Sequence, residues 1–361
     1  MVRSLALVLL LVGGCLSPQE QPEVKKPEPK AEAPKAAGPD ARDLQTKAAA
    51  LFKPLPAEVS AESNPVTPEK VSLGRTLYFE TRLSKNHDVS CNTCHDLTKY
   101  GVDGLPTSTG HKAQKGGRNA PTVYNAALHV AQFWDGRAAD VEAQAKGPVL
   151  NPIEMAMPGE AQVVAVLKSI PGYAPMFQAA FPGEADPITY DNMAKAIGAF
   201  ERTLVTPSPL DAFIGGDVAA LNADQLQGLQ TFLDVGCTTC HLGQGVGGGM
   251  YQKLGVKKAF ETTDVGRFEI TKNEADKMVF KVPSLRNIEH TGPYFHDGSV
   301  ATLDQAITLM GEHQLGVTLT TEQVTQIKSF LGALTGPLPT DAIAAPTLPE
   351  SGPKTPKPDP T

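Results

Sequence analysis

A chain of 361 residues with 32 basic and 39 acidic side chains, a formal charge of −7, is too long for one small domain. It also lacks the basic excess needed to hold a phosphate backbone, so no nucleic-acid partner is expected. Hydrophobic residues make up 41%, enough for a buried core, while 33 glycines and 31 prolines argue against a simple helical bundle; the five cysteines can be accounted for one by one.

The chain opens with Arg3, an apolar run from Leu5 to Val12 and then Gly13-Gly14, which reads as an export signal over residues 1–14. The run is too short for a bilayer span, which needs about 20 apolar residues. Leu11-Val12-Gly13-Gly14-Cys15 has the form of a bacterial lipoprotein processing site, with Cys15 acylated as the mature N-terminus. An ordinary secretory signal with an incidental cysteine is the competing reading. Acylation would hold the protein at a membrane surface in the periplasm. Leu16 stands where an Asp would argue for inner-membrane retention, so the outer membrane is favoured. Residues 15–45, rich in Pro, Glu, Lys and Ala, read as a disordered tether, and the Pro-rich segment 337–361 as a disordered tail.

Two motifs dominate the folded body: Cys91-Asn92-Thr93-Cys94-His95 and Cys237-Thr238-Thr239-Cys240-His241. In C-x-x-C-H the two thiols form thioethers to haem vinyl groups, and the adjacent histidine is carried under the iron as proximal ligand. A thioredoxin-like pair or half a zinc site would not require histidine in both fifth positions. Two covalently attached haem c groups are therefore expected, and with Cys15 acylated no cysteine is left for a disulfide.

The sequence also repeats itself. Pro121-Thr122-Val123, Asn125 and Phe133-Trp134-Asp135-Gly136 recur as Pro283-Ser284-Leu285, Asn287 and Phe295-His296-Asp297-Gly298, each offset by 162 residues. Ile197, Phe200 and Leu204, spaced for one helical face, recur at Ile327, Phe330 and Leu334. Further helices are expected around Val71–Phe79 and Ala223–Phe232, ahead of the two motifs. The fold class is thus mostly α, with two duplicated cytochrome c-type domains at 46–210 and 211–336. The Pro/Gly-rich stretch Thr206–Asp217 reads as their connection.

The repeats differ where an axial ligand belongs. Met310 follows the second Phe-His-Asp-Gly element, with Met250 and Met278 as minor competitors, and the position 162 residues earlier is Pro148, which cannot ligate iron. The C-terminal haem can be closed by His241 and Met310, which raises its potential and suits electron transfer. The N-terminal haem must be open or closed differently.

At this point the sequence resembles the bacterial di-haem cytochrome c peroxidases over nearly the whole folded body. The resemblance is carried by Gly104–His111, Arg118–Val123, Gln132–Asp140, Asn151–Met155, Val282–Asn287 and Pro293–Ser299. It implies reduction of hydrogen peroxide to water with electrons from a small periplasmic c-type cytochrome or cupredoxin, commonly by a homodimer. It implies that His111 is the removable distal ligand of the N-terminal haem, in a glycine-rich segment permissive to backbone change. Glu154 is implied as the distal acid/base, Gln144 as a neighbouring amide and Trp134 as the residue between the haems. Asn119, Thr291 and Pro293 are implied as an inter-domain calcium site, through one side chain and two carbonyls. Read without the resemblance, His111 is a loop histidine, Glu154 a helix-start glutamate, Gln144 a helix-surface glutamine and Trp134 core packing beside Phe133. His296, aligned with Trp134, is expected near the second haem or the domain interface; His87, His129, His290 and His313 receive no role. An electron conduit with little peroxidase activity is the alternative function. A relative that oxidises protein side chains would carry tyrosine at the ligand position, and Met310 speaks against that branch.

Overall fold

The computed structural model describes residues 9–10, 13–14 and 38–361. Cys15, nearly all of the expected signal and most of the expected tether lie outside them. Among the described residues no helix is long and apolar enough to cross a membrane.

The N-terminal half contains α1 (Ala41–Leu51), α2 (Pro68–Tyr78), α3 (Cys91–Cys94), α4 (Val141–Leu150), α5 (Glu160–Ser169), α6 (Tyr173–Ala180) and α7 (Tyr190–Glu201). The C-terminal half contains α8 (Pro209–Ile214), α9 (Ala223–Val235), α10 (Phe268–Thr271), α11 (Leu303–Met310), α12 (Thr321–Gly332) and α13 (Thr340–Ile343). Its strands β1 (Tyr251–Lys253) and β2 (Val279–Lys281) pair antiparallel, Gln252 facing Phe280. Helix starts follow capping chemistry: Thr67 caps α2, whose first residue is Pro68, and Asn222/Gln225 and Thr320/Gln323 close reciprocal capping boxes on α9 and α12.

The duplication is visible in the packing. Helix α2 crosses α7 and α9 crosses α12, each pair brought together at a glycine. A Cβ on Gly74 would strike the Ala196 carbonyl and Phe200, and one on Gly228 would strike the Gln326 carbonyl and Phe330. Phe200 and Phe330 are fully buried in their respective cores, and burial of such a side chain contributes roughly 1.5–3 kcal/mol. The repeat extends to backbone torsions, with left-handed φ at Asn125 (61°) and Asn287 (59°), and at Phe133 (66°) and Phe295 (70°). The two repeated asparagines converge on one hydroxyl: Asn125 Nδ2 and Asn287 Nδ2 both donate to Thr206 Oγ1, at 2.8 and 2.9 Å. Thr206 is therefore a buried pin between the repeats rather than part of a loose connection. α8, in the same stretch, contributes Leu210 and Phe213 to the C-terminal core.

Both ends of the folded body depart from the expected boundaries. The expected tether reached residue 45, but Asp40 caps α1 and a helix starts at Ala41. Leu44, Ala48 and Phe52, spaced for one helical face, then insert into the C-terminal core. The tail 337–361, expected to be disordered, lies against the N-terminal half instead. Arg82 donates to the Pro349 carbonyl and Ser351 Oγ (both 2.8 Å), Thr355 Oγ1 bonds Ser169, and Lys85 pairs with Asp359 at 3.5 Å. Leu338, Ala342 and Ile343 pack on its core. Composition showed only that this segment cannot form a core of its own; an extended strap docked on existing side chains needs none.

One buried acid sets a pH dependence. Glu201, the last residue of α7, is 5% exposed. Burial, reinforced by the charge of Glu142 and partly offset by Arg202, pushes its carboxyl from 4.5 up to about 8. The folded protein therefore keeps this proton where the unfolded chain has lost it. The stability associated with the neutral acid is complete below pH 4.5 and declines as pH rises through about 8. Glu201→Gln should unfold at higher urea concentration than the parent at pH 8, with the difference vanishing at pH 4. A difference independent of pH would contradict this assignment.

Candidate haem centres and active site

The first attachment motif forms one helical turn. Ser90 caps α3, and its N–H donates to Thr93 Oγ1 at 3.0 Å. A three-residue separation in a helix puts Cys91 and Cys94 on one face. Both thiols are free, and burial pushes both up, Cys91 to about 12. His95 follows as the helix ends, its N–H bonded to the Cys91 carbonyl at 2.9 Å. Its Nδ1 faces the Gly101 carbonyl at 3.3 Å, and Tyr78 donates to its carbonyl at 2.7 Å. Burial lowers its pKa, which keeps the ring neutral and leaves Nε2 as the metal donor.

In the second motif, Gly236 (φ 94°) turns the chain out of α9 into a tight turn over Cys237–Thr239. His241 donates its N–H to the Cys237 carbonyl at 3.1 Å, and burial lowers its imidazole to about 4. Cys237 and Cys240 are free, and these cysteines, His241 and Met310 line one cavity whose other walls include Phe232, Leu285, Ile307 and Leu331. Two unpaired thiols, a neutral imidazole and a thioether around an apolar slot are groups that could hold a covalently attached haem. Met310 ends α11, and a π-type turn over Gly311–Leu315 follows. Pro148, its counterpart, lies inside α4. The Pro148 carbonyl accepts the N–H of Asn151 and of Met155, both at 3.2 Å. The position that carries a cavity-lining thioether in one half thus starts, in the other, the turn that presents Glu154.

That turn meets the His111 segment. The N–H of His111 donates to the Glu154 carbonyl at 2.8 Å. The approach requires Gly110, because a Cβ there would overlap the backbone of Ile153 and Glu154. His111 is 5% exposed, so it is not a solvent-facing loop histidine, and its Nδ1 is buried without a hydrogen-bond partner. Lys112 and Ala113 both have φ of 57°, a left-handed conformation that costs non-glycine residues and marks a segment able to relax. Glu154 lies between α4 and α5, not at a helix start. Its Oε1 accepts from Asn151 Nδ2 at 2.9 Å. Burial raises its pKa, with Arg137 and Asn151 offsetting part of the rise. Gln144 is half-buried on α4.

Trp134 spans the seam between the halves. Its Nε1 donates to the Asn119 carbonyl at 2.9 Å, its own carbonyl accepts from Lys281 N at 2.7 Å, and its ring meets His296 edge-on at 6.5 Å between centroids. Trp134 and His296 line the cavity that holds His241, as do Asn119, Thr291 and Pro293. Asn119 uses Nδ2 on the Leu105 carbonyl at 2.9 Å, which leaves Oδ1 available as an acceptor. Two groups had no legible signal in the sequence. Arg118 joins Asp135 to Asp264 across the seam, with Nε and Nη2 on the two Asp264 oxygens at 2.6 and 2.8 Å. Lys281 Nζ lies 3.2 Å from His129 Nδ1 inside the C-terminal cavity. In each case the partners are far apart in sequence.

Comparisons with known proteins give the family. The profile of the di-haem cytochrome c peroxidases matches residues 68–219. The chain is 45% identical over 322 residues to a cytochrome c551 peroxidase of Pseudomonas aeruginosa, covering 87% of this chain and 92% of that one. It is 48% identical over 301 residues to a cytochrome c551 peroxidase of Nitrosomonas europaea, covering 82% and 89%. Among solved structures, a MauG-like protein associated with microbial copper homeostasis superposes with a TM-score of 0.72 at 28% identity, over 81% of this chain and 97% of that one. The chain belongs to the di-haem cytochrome c peroxidase family.

Proposed function

We propose that this protein reduces hydrogen peroxide to two waters, taking two protons and two electrons, the electrons delivered singly by a small periplasmic c-type cytochrome or cupredoxin. The observation that carries the reading is the asymmetry of the two centres: Met310 shares a cavity with His241, whereas the other half presents a buried acid, Glu154, bonded to the His111 segment. The relatives named cytochrome c551 peroxidase support it.

Haem, when bound, supplies an iron for peroxide reduction at the N-terminal centre and a one-electron store at the C-terminal one. His95 and His241 would hold the two haems through Nε2, and Met310 would add a thioether to the C-terminal one. His111 would close the N-terminal haem until its segment moves, and the left-handed Lys112-Ala113 backbone lies in that segment. Glu154, its proton held more tightly because of burial, passes that proton to the leaving oxygen of peroxide, and Gln144 is assigned to help orient the substrate. Trp134, bonded to both halves, is the packed bridge between the centres. Asn119, Thr291 and Pro293 are assigned to calcium, which prefers such oxygen donors. The leader and Cys15 point to export and to acyl attachment at a membrane, with the outer membrane favoured.

Glu154→Gln keeps the backbone bond to His111 and removes the transferable proton. It should lower kcat by roughly 10²–10⁴-fold with both haem spectra intact; a kcat near that of the parent would contradict the role. Negligible turnover by the pre-reduced parent protein would favour the electron-conduit reading instead. Met310→Leu should lower the midpoint potential of the C-terminal haem and leave the N-terminal one in place, as read by a spectroscopic redox titration.

A further inference from the structure

Lys281, at the end of β2, is 6% exposed, and its ammonium has no carboxylate partner among the described residues. Its one side-chain hydrogen bond is to His129 Nδ1, at 3.2 Å, from the opposite half of the chain. Burial and the adjacent ammonium hold His129 neutral, so it supplies a lone pair but no compensating charge. The contact is built rather than incidental. Gly248 (φ 77°) leaves room for the His129 ring, which a Cβ there would strike. Gly248 also accepts Val130 N–H and donates to the Val282 carbonyl, at 2.8 and 2.9 Å. The Lys281 N–H is fixed on the Trp134 carbonyl at 2.7 Å. Burial pulls this ammonium down to about 8, so it is still charged at neutral pH in a largely apolar cavity without its anion, an unfavourable arrangement that a bound anionic group would relieve.

The same cavity holds Cys237, Cys240, His241 and Met310, and a haem seated there brings two carboxylates of its own. We propose that Lys281 is the counter-ion of a propionate carboxylate on the C-terminal haem, with His129 holding the ammonium in position from the other half. The carboxylate then ends beside Trp134, at the seam the electrons cross. Lys281 is a positioning and charge-matching residue, and its role rests on this cavity being a haem site.

Two measurements test the proposal. In crystals of the haem-loaded parent protein, a propionate oxygen is expected within hydrogen-bonding distance of Lys281 Nζ. Both propionates bonded elsewhere, or only water or a buffer anion on Nζ, would overturn the assignment while leaving the haem reading intact; a cavity without haem would overturn both. In a redox titration, Lys281→Met should lower the midpoint of the C-terminal haem and leave that of the N-terminal haem unchanged, whereas Lys281→Arg should keep both. An unchanged C-terminal midpoint in folded, fully loaded Lys281→Met also overturns it. Should Lys281→Met fail to take up haem, the crystal of the parent protein decides alone.

Discussion

A single backbone hydrogen bond, from the N–H of His111 to the carbonyl of Glu154, joins the two groups on which the N-terminal centre depends. It forms because Gly110 has no Cβ to keep the chains apart and because Pro148 starts the turn that brings Glu154 around. In the other half, the position equivalent to Pro148 is Met310, and the turn that follows it is of π type, over Gly311–Leu315. One substitution between repeats thus exchanges a thioether for a turn carrying a buried acid. His111 and Glu154 are thereby tied as neighbours: a shift of the His111 segment must break or carry the bond to Glu154.

The rest of the molecule holds the two centres in register. Thr206 binds the repeated asparagines of both halves, Trp134 bonds to both, and Arg118 joins acids on either side. The chain ends add a crossed clamp. α1, from the start of the folded body, fills the C-terminal core, and the tail following α13 straps the N-terminal half. Lys85, which pairs with Asp359 of that strap, also donates its N–H to the Met155 carbonyl at 2.8 Å, next to Glu154. Electron delivery between two centres needs this fixed spacing, and the left-handed Lys112-Ala113 pair lies in the segment proposed to move.

What could be read in advance was whatever is written as spacing. The attachment motifs, the 162-residue repeat and the mismatch of Met310 with Pro148 are all local or periodic, and the helices expected near Val71–Phe79 and Ala223–Phe232 correspond to α2 and α9. The roles proposed for His111, Glu154 and Trp134 come only through family resemblance, because a lone histidine, glutamate or tryptophan has ordinary structural uses. The strap was misread because a Pro-rich composition reports what a segment can bury by itself, not what it can dock upon. The folded body was expected to begin at 46, with no helix there, because Leu44, Ala48 and Phe52 form a stripe only if a helix begins before them. Lys281 with His129, and Arg118 with Asp264, escaped notice because their partners lie more than a hundred residues away and meet only in the folded chain.

The central claim is unequal closure of the two centres: permanent on the carboxyl side through Met310, and releasable on the amino side through His111. Electron paramagnetic resonance of the haem-loaded protein, fully oxidised and then reduced by one electron, addresses it most directly. Two low-spin signals in the oxidised state, with the N-terminal one converting to high spin when the C-terminal haem is reduced, are the predicted result. An N-terminal signal that stays low-spin in the half-reduced protein as peroxide is consumed, or a C-terminal haem that is high-spin at rest, would contradict it.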